Sequence, residues 1–142
     1  MFEFESFGRG HRLEFQLYEV LRANLHEHEP ALHHLYHANN RTLNVACHDS
    51  GKVVGGCIGW HVGSQAYLHF IAVAPEARRQ KVGATLLEVF EQGMQEVQPT
   101  NQIAVNTHNG AVSWFQERGY VEENRTPEGV ISMVKPLVKP RA

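Results

Sequence analysis

The stretch from Leu68 to Phe90, "LHFIAVAPEARRQKVGATLLEVF", decides how this chain folds. It opens as an apolar strand ending at Val73 and passes Pro75. It then continues at helical spacing with Ala84, Leu86, Leu87 and Phe90, and with Met94 and Val97 further on. Arg78, Arg79 and Lys81 stand on the turn between strand and helix. The free N–H groups at a helix start, together with the helix dipole, make an anion site. Basic side chains on that turn suit a multiply charged anion such as a pyrophosphate. A basic turn by itself is commonly no more than solvated surface. A strand ending in Val73, a proline two residues on, and Arg-x-x-x-x-Gly ahead of Leu86–Leu87 is a more restrictive combination.

Outward from this stretch the periodicities alternate. A short strand is expected at Phe2–Glu5, before a turn at Gly8–Gly10. A helix follows from Leu13, carrying Phe15, Leu17, Tyr18, Leu21 and Leu25. Pro30 opens a second short helix with Leu32, Leu35 and Tyr36. "TLNVACH" and "KVVGGCIGWHV" read as a hairpin around "DSGK", and "AYLHFIAV" as the next strand. Pro99 ends the long helix and "QIAVN" is another strand. "GAVSWFQER" is a short helix stopped by Gly119 in a capping position, and Tyr120–Val121 with "GVISMV" makes a last strand pair. There is no repeat, linker or low-complexity tract, so residues 1–142 are expected to form one α/β domain with a mixed sheet.

Composition narrows the function. With 142 residues, 42% hydrophobic and 20% charged, the chain has the balance of a soluble globular protein with an ordinary core. No apolar run approaches the ~20 residues of a membrane span, and the start has no basic segment followed by an apolar one, so no signal peptide is expected. The net charge of −2 gives no global pull toward nucleic acid or a membrane surface. If the hairpin pairs His48 with Val53, then Cys47 faces Val54 and Cys57 faces Asn44. That offset of about 10 Å along the strand is too long for a disulfide. Two buried thiols in a cytoplasmic protein are the expectation.

On these residues the sequence resembles the GCN5-related N-acetyltransferases (GNAT). "RRQKVG" matches their turn motif with Arg78 first and Gly83 last, and "FIAVAPEA" matches the preceding strand and proline. "HNGAVSWFQERGY" supplies the downstream Ala111, Gly119 and Tyr120. The likeness runs from Val53 to Leu137. It implies a single-domain fold with a mixed, mostly antiparallel sheet flanked by helices, and acetyl-CoA as cosubstrate. By the same resemblance the amides of Val82, Gly83 and Ala84, with Arg78, Arg79, Gln80, Lys81 and Thr85, hold the cofactor's pyrophosphate. Ile71, Ala72 and Val73 pair with its pantetheine arm at a strand edge freed by a bulge. His108, or Asn109 beside it, stands where the family often has an asparagine contacting the cofactor or an ordered water.

Two positions depart from the family. Lys81 replaces a glycine that lets the backbone come close to the phosphates. A lysine at negative φ still donates its N–H, and its ammonium adds an anion contact, so a modest loss of affinity is expected. Phe115 occupies the place of the tyrosine thought to protonate the leaving thiolate, and phenylalanine has no proton to give. Ser113 and Tyr67 are the hydroxyls left for that role, with solvent as the other source.

Acetyl transfer to an amine needs a group to take the ammonium proton. Tyr67 and His69 point the same way by the period of two. In arylalkylamine N-acetyltransferases this strand reads similarly, with histidines at both positions. By that resemblance His69 is the candidate base, its intrinsic pKa near 6.5 suiting neutral pH. A histidine merely satisfied on a half-buried strand is the competing reading.

Six of the ten histidines lie between residues 26 and 48. His33 and His37 would share a helix face and could bind a metal, but with no cysteine nearby a solvated surface is favoured and no metal is expected. Glu27 and Glu29 could attract a cationic acceptor. The expected partners are a small-molecule or peptide amine and, as a candidate, a second copy of the chain. The alternative from another class is an acyl-CoA-binding or regulatory domain without catalysis, which Phe115 and Lys81 favour. A histidine-rich metal-binding protein is a third.

Overall fold

The computed structural model describes residues 1–8, 10–24 and 42–137. The expected helix from Pro30, the histidine-rich segment with His33 and His37, and Glu27 and Glu29 lie outside the described residues. The described chain forms β1 (Phe2–Phe7), α1 (Glu14–Asn24), β2 (Thr42–Asp49), β3 (Lys52–Val62) and β4 (Gln65–Val73). A 3-10 turn at Pro75–Ala77 leads to α2 (Val82–Val97) and β5 (Gln102–Thr107). A second such turn at Asn109–Ala111 leads to α3 (Val112–Gln116), β6 (Val121–Arg125) and β7 (Ile131–Pro136). The strands make one seven-stranded sheet in the order β1-β2-β3-β4-β5-β7-β6. Every pair is antiparallel except β4 with β5. Among the described residues no helix is long and apolar enough to cross a membrane.

The sheet is covered on both faces, which explains why the central strand β3 reads as an almost unbroken apolar run. On one face Leu13, Leu17 and Leu21 of the α1 segment pack with Phe7, Ala46, Ile58 and Trp60. On the other, Leu86, Phe90 and Met94 of α2 pack with Val45, Cys57, Leu68, Ile103 and Met133. Phe15 and Val97 were expected on these apolar faces, yet they are 73% and 57% exposed. Phe15 lies two positions from Leu17, roughly 200° around the helix, and Val97 is the last residue of α2. β6 was expected as Tyr120–Val121. Instead Tyr120 precedes it as a buried core residue, and the strand runs to Arg125 as a polar, exposed sheet edge.

The β2–β3 hairpin turns on Ser50 and Gly51, both at positive φ (53° and 87°), the signature of a two-residue primed turn. His48 pairs with Val53 as expected. A bulge between Cys47 and His48 then shifts the register, so Cys47 faces Gly55 and Cys57 faces Val45, not Val54 and Asn44. Both thiols are buried and unbonded. Burial, with Asp49 adding to it, pushes the Cys47 thiol up to about 11, and burial raises Cys57 further.

Gly59 explains why β3 and β4 can pack so closely under α2. A Cβ there would lie inside contact distance of the Tyr67 carbonyl oxygen and the Phe90 ring. Backbone and a fully buried aromatic cannot both give way. Gly59→Ala is therefore expected to destabilise the fold at the upper end of the roughly 1–3 kcal/mol typical of overpacking, measured as a lower urea midpoint with unchanged slope.

Candidate functional site

The parallel pair β4–β5 is joined over only four residues, from Gln65–Gln102 to Leu68–Val105. Beyond that, β4 continues to Val73 bonded only to β3, and β5 continues to Thr107 bonded only to β7. The facing edges of His69–Val73 and Asn106–Thr107 are thus left without a ladder partner. The parting coincides with a bulge. Ile58 pairs with Phe70 and Gly59 with Leu68, so His69 is the extra residue on β4. The sequence expectation of a bulge and a free edge beside Ile71–Val73 matches this geometry.

Where β4 ends, the Ala74 N–H donates to the Val54 carbonyl (2.8 Å), and Arg78 folds back so that its Nε donates to the Val73 carbonyl (3.0 Å). The turn then enters α2 through two left-handed residues, Arg79 (φ 65°) and Lys81 (φ 63°, ψ 17°). The negative φ considered for a lysine here is not the one adopted. This position takes the conformation glycine favours, and lysine occupies it at a cost. The first bond within α2 runs from the Thr85 N–H to the Lys81 carbonyl (3.1 Å). The amides of Val82, Gly83 and Ala84 precede it and point out of the helix start. A left-handed residue followed by a right-handed helix also forms a concave run of N–H groups that accommodates anions.

A cavity of about 480 Å³ lies against this turn. It brings together Ile71, Ala72, Val73, Arg78, Arg79, Lys81, Val82, Gly83, Ala84 and Phe115 from the sequence-based set. Gln80 is absent from its lining, with Nε2 donating to the Glu76 carbonyl (3.3 Å). So is Thr85, whose hydroxyl donates back to the Lys81 carbonyl (3.0 Å). His108 and Asn109 are exposed and outside the cavity lining, and the Asn109 amide oxygen accepts from Arg125 (3.0 Å). Two side chains the sequence reading missed, Trp114 and Arg118, also line the cavity. The Arg118 guanidinium lies 4.0 Å from the Trp114 ring centroid, and its Nη1 donates to the Trp114 carbonyl (2.7 Å). Their i,i+4 spacing in "WFQER" was the available signal. A Cβ on Gly83 would sit 3.3 Å from the Trp114 ring, so this glycine makes room for Trp114 as much as for any ligand.

His69 and Tyr67 do not line this cavity. They lie on the α1 side of the sheet, beside the point where the strands part, with ring centroids 5.8 Å apart. His69 stacks on Trp60 at 3.7 Å, and burial lowers its pKa to about 4. Near neutrality this imidazole is uncharged and able to accept a hydrogen bond, but it is too weak a base to hold an ammonium proton. Phe115 is buried edge-on against Trp114 and Tyr120. The Tyr120 hydroxyl is already committed, donating to Glu91 Oε2 (2.7 Å), and burial beside that carboxylate raises its pKa. Ser113 is exposed and outside the cavity lining.

With the parted strands, the anion-ready helix start and the cavity between them in place, comparison with known proteins is informative. The model of the acetyltransferase (GNAT) domain matches residues 14–134. The chain belongs to the GNAT family. No curated protein matches it in sequence. Among solved structures, the ribosomal-protein-S18-alanine N-acetyltransferase from Escherichia coli has a TM-score of 0.77 at 21% identity, covering 99% of this chain and 97% of that one. An aminoglycoside 6'-N-acetyltransferase complexed with coenzyme A has a TM-score of 0.81 at 17% identity, covering 98% and 99%. Tetrahymena GCN5 has 0.78 at 19%, covering 94% and 95%. At these identities the likeness is one of fold.

The left-handed lysine makes a stability test. Lys81→Gly relieves the Cβ conflict at φ 63° and is expected to stabilise the free protein by about 1 kcal/mol, net of glycine's added chain entropy. For a domain of this size that is a rise in Tm of roughly 3–5 °C, read by differential scanning calorimetry.

Proposed function

We propose that the protein is an acetyl-CoA-dependent N-acetyltransferase that moves an acetyl group directly to the amine of a small molecule or peptide. The observation that carries this reading is the unpaired edge of β4 ending at an anion-ready helix start, both in one cavity. A phosphate-bearing thioester has two unlike parts, and this cavity has a counterpart for each. The amides of Val82–Ala84 and the charges of Arg79 and Lys81 suit the pyrophosphate. The N–H and C=O groups on the unpaired edge of Ile71–Val73, apart from the Val73 carbonyl that Arg78 takes, suit the amide-bearing arm, laid beside β4 as an added strand.

In the transfer the amine nitrogen attacks the thioester carbonyl, the C–S bond breaks, and the nitrogen loses a proton while the thiolate gains one. The amine approaches through the opening between β4 and β5, beside His69. Neutral His69 orients the amine or a water by accepting a hydrogen bond, and the ammonium proton passes to solvent. The thiolate meets Phe115 and so draws its proton from water. A thiol pKa near 8.5 makes such a leaving group tolerable without a positioned acid. The absence of an acid among the described residues lining the cavity also favours the second reading, a binding domain of the same fold that turns nothing over.

Calorimetry tests the first step. Coenzyme A is expected to bind with heat that weakens as salt rises, because the phosphate contacts are ionic. No heat at millimolar ligand would remove the cofactor from the reading. A screen of acetyl-CoA turnover against amines and peptides separates enzyme from binding domain.

The chemical step has its own signature. Below the amine's pKa the rate should rise with pH as the free amine appears. No inflection is expected near 6.5, since the limb of His69 is displaced to about 4. No descending limb from a tyrosine is expected either. Phe115→Tyr places a hydroxyl on the cavity wall, and a positioned acid contributes roughly 10²- to 10⁴-fold. Faster turnover at nearly unchanged acetyl-CoA affinity is the expected result, measured by thiol release. An unchanged rate in an active enzyme would mean that water already suffices.

A further inference from the structure

Arg118 has an arrangement that the pyrophosphate and pantetheine contacts leave unexplained. Its guanidinium lies on Trp114, its Nη1 is used by the Trp114 carbonyl and stands 3.6 Å from Glu117, and its Nε is shut away from solvent with no acceptor. A buried N–H without a partner costs free energy in the free protein, so the side chain gains by turning toward an arriving anion. Arg118 also sits where two cavities meet. It lines the large one beside Ala84, and with Ala84 it borders a smaller one of about 220 Å³ reaching to Glu88, Glu91, Glu117 and Lys135. Lys135 is held by Glu91 (2.9 Å). Arg118 differs from Lys135 in that its contact with Glu117 is longer, at 3.6 Å, and its Nε has no acceptor, while Trp114 holds it beside Gly83 on an element separate from the basic turn.

We propose that Arg118, positioned by Trp114, recognises the third phosphate of the cosubstrate, the ribose 3'-phosphate that distinguishes coenzyme A from dephospho-coenzyme A. This rests on the coenzyme A reading given above. The turn and the helix amides account for the pyrophosphate, and the remaining phosphate is left to a separate cation, which Arg118 supplies from a different element. An arginine is suited to that task, because its planar fork of donors matches phosphate oxygens and its charge persists at every working pH. Trp114 acts as a positioning residue: the ring carries the guanidinium and is itself seated on Gly83.

The test is calorimetric titration of coenzyme A and dephospho-coenzyme A into the full chain and into Arg118→Gln, Arg118→Lys and Trp114→Phe, with a thermal melt of each free protein. The parent is expected to prefer coenzyme A by about tenfold or more, the scale of one charge-assisted contact. Arg118→Gln should bring that ratio close to one by weakening coenzyme A alone, Arg118→Lys should restore part of it, and Trp114→Phe should keep most of it. If Arg118→Gln leaves the ratio unchanged, or weakens both ligands equally, the assignment is overturned while the cofactor reading stands. If the parent binds neither ligand, both fail together. Should Arg118→Gln melt before it can be titrated, the ratio in Arg118→Lys decides, and an undiminished preference there with a loss of affinity for both ligands counts against the proposal.

Discussion

The parting of β4 from β5 after Leu68 and Val105 is the constraint on which the rest of the site depends. A parallel pair that stayed zipped to Val73 would use every N–H and C=O on that edge and leave nothing for a ligand. Ending the pair early exposes those groups, which is costly unless something else meets them. The bulge at His69 turns the strand away from β5, and Gly59 opposite it permits the close approach of Phe90 that supports the bend from below. The cavity follows from this, because α2 and α3 close over the gap the strands leave.

The turn into α2 shows the same exchange of stability for binding capacity. Arg79 and Lys81 both sit at positive φ, where a Cβ is unwelcome, and three cations crowd within four residues. Neither feature helps the free protein fold. Both make sense if an anion completes the structure, since it would neutralise the repulsion and occupy the amides at the helix start. Arg78 is partly exempt, with its Nε already satisfied by the end of β4.

Much of this was legible in the sequence, and the failures have physical causes. The "DSGK" turn and its His48–Val53 pairing were readable because turn chemistry is local. The shift at Cys47 was not, because one extra residue changes register without changing composition. Phe15 and Val97 were misplaced since an apolar residue near a helix end or flank counts toward periodicity whether or not anything covers it. The strand–turn–helix unit located most of the cavity wall through residues close in sequence. Trp114 and Arg118 come from an element some thirty residues further on, where the family pattern marks only the alanine, glycine and tyrosine. At Asn109 the pattern could not show that Arg125, from the far edge strand, bonds the side chain.

The site as a whole is stronger in binding groups than in acid–base groups. Tyr67 and His69 lie across the sheet from the cavity, His69 has lost basicity to burial under Trp60, and Tyr120 is tied to Glu91. For many reactions that would argue against catalysis. Aminolysis of a thioester is less demanding, because an unprotonated amine is a good nucleophile and a thiolate a modest base. What such a reaction lacks in water is encounter and orientation, and holding two reactants in register is worth as much as several proton-transfer groups. Under the proposed transfer, a cleft that fixed one partner along β4 and admitted the other between the strands would supply that advantage through backbone geometry. Under that proposal the fold would carry most of the catalysis, and side-chain chemistry at positions 69 and 115 would adjust the rate.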